Sequence, residues 1–183
     1  VITNIPKSRI GEIIEKLVND CKDERIQYYK LNENVGIAEN TNVGLEYATG
    51  EYIALLDHDD LLTPGALYEM AKAIEAANEQ GTELLMLYSD EDKCDGEVKY
   101  FYEPHFKKDF DKELLLTNNY ICHFTAIKAE VFRELKLRGE YNGAQDFDLV
   151  LRVAEKCKEN SKLVCHIPKV LYHWRCHDTS TAA

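Results

Sequence analysis

No apolar stretch of the chain reaches the ~20 residues that a membrane-crossing helix requires. The start, Val1-Ile2-Thr3-Asn4, lacks the positive charge and long apolar core of a secretory signal. A cytoplasmic location is expected, with no membrane span in this chain; attachment to the inner face of a membrane would belong to a full-length protein. Positive charge is in deficit: 22 Lys and Arg stand against 33 Asp and Glu, for a net charge of -11. Most faces would repel a phosphate backbone or an anionic bilayer, which excludes nucleic acid as a general partner. The six cysteines, Cys21, Cys94, Cys122, Cys157, Cys165 and Cys176, contain no C-x-x-C pair. A zinc ribbon and a thioredoxin-type motif are thereby removed, and reduced thiols are expected. Internal repeats and low-complexity segments are also absent.

What is present suffices for one domain: 183 residues, 45% of them apolar, in segments that alternate between strand and helix. This alternation predicts an α/β fold of three layers, with a mostly parallel sheet flanked by helices. The chain is organised around Tyr52-Ile53-Ala54-Leu55-Leu56-Asp57-His58-Asp59-Asp60, an apolar run that stops on three carboxylates and a histidine. It reads as a buried strand delivering acids to its carboxyl end, where open α/β sheets bind ligands. Asp57 and Asp59, two apart, can reach one hard cation carrying a phosphorylated ligand. The alternative is an acidic loop held by the dipole of the next helix, which Thr63 and Pro64 would open as N-cap and N1.

Upstream, Ile10, Ile13, Ile14, Leu17 and Val18 recur at helical spacing behind Ser8, and residues 26–31 alternate like a strand. A second helix, about Ile37 to Ala48, closes at Gly50 and carries Asn40 and Asn42, which either cap a loosely wound start or face a ligand. Downstream, Leu84 to Tyr88 is another apolar strand ending in acid, Ser89-Asp90-Glu91-Asp92-Lys93. Those acids extend the rim or merely solvate the Asp95-Gly96 turn. Tyr100, Phe101, Tyr102, His105, Phe106, Lys107 and Lys108 read as a covering loop, its aromatics anchored in the core or stacked on a sugar. His123, in a strand spanning 121–127, reads as a core histidine more readily than as a ligand. Asp146 and Asp148 sit at a helix start, where the dipole accounts for both and where a catalytic base would also sit. His173, Arg175, His177 and Ser180 suit metal and phosphate contact, or a solvated tail.

Taken together, five blocks resemble the family 2 glycosyltransferases of GT-A fold, nucleotide-sugar-dependent inverting enzymes. They are Asn34-Val35-Gly36-Ile37-Ala38 with Asn42, residues 48–60, Tyr88 to Lys93, Gly143-Ala144-Gln145-Asp146-Phe147-Asp148, and His173-Trp174-Arg175-Cys176-His177 with Ser180. The resemblance implies that Asp57 and Asp59 form the D-x-D that holds the ribose or a Mg²⁺ or Mn²⁺ diphosphate, with Asp60 as an additional candidate. It implies Asp146 as general base, and His173, His177, Arg175 and Ser180 as a tail closing on metal and diphosphate. The donor would be a UDP-sugar, the acceptor a glycan hydroxyl, and the setting cell-surface polysaccharide synthesis. Two departures stand out. Gln145 replaces the Glu that often precedes the base, and the family's first strand and nucleobase-holding turn do not precede Val1, so that residues 1–183 read as a single domain lacking them. Asn4 stands near where an acidic base-reading residue is expected. Two rival readings are a phosphohydrolase using a strand-end Asp nucleophile, for which no Lys and Thr partner motif follows in order, and a catalytically silent domain that binds glycan or a protein partner.

Overall fold

The computed structural model describes residues 2–3, 9–31, 33–158 and 160–176, which form two compact units. The first comprises residues 1–49 and 136–145. In it β1 (Ile2–Thr3) pairs in parallel with β2 (Tyr29–Lys30), and α1 (Arg9–Cys21) joins them. Ile14 and Val18 of α1 are half-buried, whereas Ile13 and Leu17 stay exposed, so the expected packing stripe is only half used. Ser8, the expected cap, lies outside the described residues, as does Asn4.

The next helix, α2 (Ile37–Tyr47), begins at Gly36, whose φ of 98° favours a residue without Cβ. Asn34 Oδ1 accepts from Gly36 N and from Asn40 Nδ2, both at 3.0 Å, so Asn40 does serve a loosely wound start. Asn42 has a different task. Its amide donates to Leu137 O and accepts from Leu137 N, both at 2.8 Å, tying the helix to a segment 95 residues later. The helix ends at Ala48 in extended conformation and not at Gly50.

The second unit, residues 50–135 and 146–183, holds a six-stranded sheet. Its strands are β3 (Tyr52–Ala54), β4 (Leu61–Leu62), β5 (Met86–Asp95), β6 (Phe101–His105), β7 (Thr125–Lys128) and β8 (Val164–Cys176). The order is β3-β7-β5-β8-β4, with β6 also on β5. This sheet is mixed, not mostly parallel: β7 is antiparallel to both β3 and β5, and only β5 and β8 pair in parallel. Strands β3, β5 and β8 still share one direction, as βαβ reasoning requires; the reversed β7 inserted between β3 and β5 breaks the parallel ladder.

Helices α3 (Ala66–Glu79), α4 (Lys112–Leu115), α5 (Ala129–Leu135) and α6 (Gln145–Cys157) complete the unit. Gly65, not Thr63, occupies the α3 cap, because Ala66 N bonds Thr63 O to close a preceding turn. The helix consequently buries Ala66 and Met70 rather than Leu67, against Leu87, Phe124, Ile167, Leu171 and Tyr172. This cluster is the floor on which the strand ends of the site are fixed.

Candidate functional site

The strand carrying the acidic motif stops at Ala54, and Asp57 to Asp60 form a tight turn closed by Asp60 N on Asp57 O at 3.2 Å. Two groups of β8 clamp that turn. Arg175 donates its backbone N–H to Asp60 Oδ1 at 2.8 Å and its Nε–H to Asp59 O at 2.5 Å, and the Tyr172 hydroxyl bonds Asp60 Oδ2. Asp60 is therefore consumed in fixing the turn. Arg175 also braces the turn here, and no side chain of the turn caps α3 by a hydrogen bond.

Asp57 projects from the turn with its side chain 57% exposed, 3.8 Å from His123 Nε2. Its carboxyl is pushed up, first by the surrounding protein and then by the carboxylates of Asp60, Asp59 and Asp146, while His123 opposes the rise. Solvent at so open a group screens these effects. The acids from two distant stretches of sequence thus act on one point. Asp146, in the first turn of α6, accepts from Asn119 Nδ2 at 3.2 Å and adjoins the buried Cys122 thiol, which burial first and Asp146 next push up. Gln145 Oε1 is occupied by Gly143 N at 2.6 Å.

Several groups that bear on the site were misread or missed in the sequence. His123, expected as a core histidine more readily than as a ligand, is half-buried: its ring stacks on Tyr172 (5.0 Å, 14°) and leans on Trp174 (5.7 Å), and its Nδ1 lies 3.5 Å from Glu91 Oε2 without an aligned hydrogen bond. Burial alone would lower its pKa, yet Glu91 and then Asp57 and Asp146 outweigh that, and the imidazole is held above its ordinary value. Glu91 is buried too, which would raise it, but His123 and Lys107 hold it below the usual range. Lys107, its side chain 0% exposed, donates to Ile121 O at 2.9 Å and to His123 O, and stands 3.7 Å from Glu91. Its burial lowers its own pKa. The strand expected to end at Tyr88 in fact continues through these acids. Asp90 accepts from Lys107 N at 2.8 Å and meets His166 Nε2 at 2.8 Å, so neither the rim nor the solvated-loop reading describes it.

Of the expected tail, His173 is placed with Asp92 (Nδ1 to Oδ1, 2.5 Å) and the edge of Phe101, and His177 and Ser180 lie outside the described residues. Among the described residues no three His, Cys, Asp or Glu side chains gather as a metal cage. Two carboxylates on a turn nevertheless fit the manner in which Mg²⁺ or Mn²⁺ is held, by one or two acids with water and substrate phosphates supplying the rest. The cysteines are all free, and no described helix is long and apolar enough to cross a membrane.

Comparison with known proteins agrees with this arrangement. The protein is 38% identical over 176 residues, 95% of this chain, to the uncharacterized protein y4gI of Sinorhizobium fredii, and 33% identical over 155 residues, 84% of this chain, to the O-antigen biosynthesis protein RfbC of Myxococcus xanthus. It spans only 18% and 12% of those two proteins. The crystal structure of S. aureus TarS in complex with UDP-GlcNAc superposes with a TM-score of 0.69 at 16% identity, covering 98% of this chain and 50% of that one, and so shares the fold. The family model described as Glycosyl transferase family 2 matches residues 4–136, most of the chain, and with the GT-A-like sheet and the acid-tipped strand turn it establishes that the chain belongs to that family.

Proposed function

We propose that the chain is the catalytic domain, one unit of function over residues 1–183, of a metal-dependent inverting glycosyltransferase. It moves a sugar from a UDP-sugar to a glycan hydroxyl in polysaccharide synthesis on the cytoplasmic side of the membrane. The carrying observation is the acid-bearing turn of Asp57 to Asp60 at the end of β3, closed by Asp60 N on Asp57 O at 3.2 Å, in a chain matched by the family 2 model. In this reading Asp59 and Asp57 hold the donor from its diphosphate and ribose side. Arg175, His177 and Ser180 approach the diphosphate, and His173, whose Nδ1 faces Asp92, would meet a cation through Nε2. Asp146, in the first turn of α6, takes the proton of the acceptor hydroxyl. That oxygen attacks the anomeric carbon from the side opposite the diphosphate, the carbon–oxygen bond to the diphosphate breaks, and the configuration inverts. A divalent cation, when bound, neutralises the departing nucleoside diphosphate.

Similarity to the O-antigen biosynthesis protein RfbC supports the polysaccharide setting, and the UDP-GlcNAc bound in the fold neighbour TarS supports a UDP-sugar donor. The test is calorimetric titration of the chain with UDP in Mn²⁺, with and without Asp59→Ala. Metal-dependent binding that weakens at least ~10-fold in the variant, about 1.4 kcal/mol, is expected. Binding indifferent to both Mn²⁺ and Asp59 would remove the donor-site assignment and leave a silent family member.

A further inference from the structure

Beyond Tyr172, whose hydroxyl holds the Asp57 to Asp60 turn, further rings lie along the same sheet. Residues opposite one another on adjacent strands share a face of the sheet. Lys93 of β5 pairs with Tyr102 of β6 on one side and with Trp174 of β8 on the other, and Glu91 pairs with His105 and Tyr172. Tyr102 and His105 are three apart and would point oppositely on a regular strand. A register shift between Glu91 and Lys93, with Glu103 at φ 48°, turns them to the same side. One face of the β5–β6–β8 extension therefore carries Tyr172, Trp174, Lys93, Tyr102, Glu91 and His105. His123 lies against its inner end, stacked on Tyr172 and 3.8 Å from Asp57. Alternation along β8 sends His173 and Arg175 to the opposite face, where Phe101 meets His173.

The outer part of this path, at Tyr102 and His105, is open to solvent, whereas Tyr172 and Glu91 at its inner end are buried. Tyr102 is 39% exposed and the His105 side chain 49% exposed; the expected anchoring of these aromatics in the core does not occur. Lys93 Nζ stands 6.0 Å over the Trp174 ring, and Glu91 and His105 meet at 3.4 Å. Flat rings interleaved with donors and acceptors suit a ligand with apolar ring faces and equatorial hydroxyls. Nucleic acid is opposed by the net charge of -11.

We propose that this face binds the acceptor saccharide, the chain lying from Asp57 and His123 outward over Trp174 to Tyr102 and His105. The assignment rests on the sugar-transferase reading and names where its acceptor runs. Continuity with Asp57 through the His123 ring is what selects a saccharide leading into the transfer site.

Trp174 is the only tryptophan of the chain, so its emission reports this face directly. The full chain is titrated with chitohexaose, mannohexaose and maltohexaose while tryptophan emission is followed, and UDP with Mn²⁺ is titrated separately by calorimetry. At least one saccharide should give a saturable change. Its affinity should fall ~10-fold in Tyr102→Ala and in His105→Ala, the loss of one stacking or hydrogen-bonding partner. UDP affinity should be unchanged in both variants, and Phe101→Ala, on the opposite face, should bind saccharide normally. Emission indifferent to all three saccharides, with UDP still bound, would overturn the acceptor path and leave the transferase reading intact. Loss of UDP binding in the unaltered chain as well would remove both.

Discussion

Asp148 Oδ2 receives both Nε (3.0 Å) and Nη2 (2.7 Å) of Arg152, whose Nη1 donates to Leu135 O at 2.6 Å. Two residues earlier, Asp146 accepts from Asn119, adjoins the Cys122 thiol and acts electrostatically on Asp57. The helix dipole was sufficient reason for both acids, and only the family resemblance singled out Asp146, because spacing cannot reveal which partner a side chain finds. Asp148→Ala takes the carboxylate away from the half-buried Arg152 guanidinium and should cost ~1–3 kcal/mol in denaturant melts, with transfer per folded molecule unchanged. Asp146→Asn should leave the melt and UDP binding almost untouched and lower transfer by ~100-fold or more; undiminished transfer would exclude Asp146 as the base. The Glu91–His123 pair adds a pH dependence. Glu91 is lowered from 4.5, so its contribution is present above the unfolded value and lost as pH falls through the folded one. His123 is raised from 6.5, so its contribution is complete below that value and lost as pH rises through its folded pKa. Thermal melts across pH should show a maximum between these limits, and Glu91→Gln should flatten both flanks.

Among the elements, β5 marks where pattern reading succeeded and where it stopped. The apolar half was legible because Met86, Leu87 and Tyr88 are fully buried. The polar half was not, since Asp90, Glu91 and Asp92 remain in strand only because His166, His123, Lys107 and His173 satisfy them from segments remote in sequence. The same blindness hid β6, whose exposed aromatics carry no hydrophobic period, and left β7 without a direction. By contrast α1 forms where the apolar spacing put it, as a local 3.6-residue rule should allow, although Ile13 and Leu17 stay exposed. The D-x-D and Asp146 were readable as motifs, whereas His123 was not, because its role is conferred by Asp57 and Glu91 across the sheet. Lys107 is the hinge of this long-range satisfaction. Lys107→Met removes the donor to Ile121 O and His123 O and leaves Glu91 without its buried cation, so a loss of ~3–5 kcal/mol is expected by chemical denaturation. An unchanged melt would mean that water already serves these carbonyls.

For the molecule as a whole, the charge of -11 works against the ligand proposed for it, because a diphosphate approaches a surface that already repels itself. Asp57 feels this most directly, with burial and three neighbouring acids raising its carboxyl. Monovalent salt relieves only the diffuse part, since the screening length falls from ~30 Å at 0.01 M to ~8 Å at 0.15 M. The melting temperature should therefore climb with NaCl and level off once that length is shorter than the spacing of exposed acids. A divalent cation at the D-x-D turn should add a separate increment at matched ionic strength. At tenfold its dissociation constant the linkage is about 1.4 kcal/mol, or ~3–6 °C for a chain of this size. The double variant Asp57→Asn, Asp59→Asn should start higher than the unaltered chain in low salt, its repulsion already relieved, and should gain nothing further from Mg²⁺ or Mn²⁺. An equal Mg²⁺ increment in the double variant would place the cation elsewhere on the acidic surface and detach it from the transfer site.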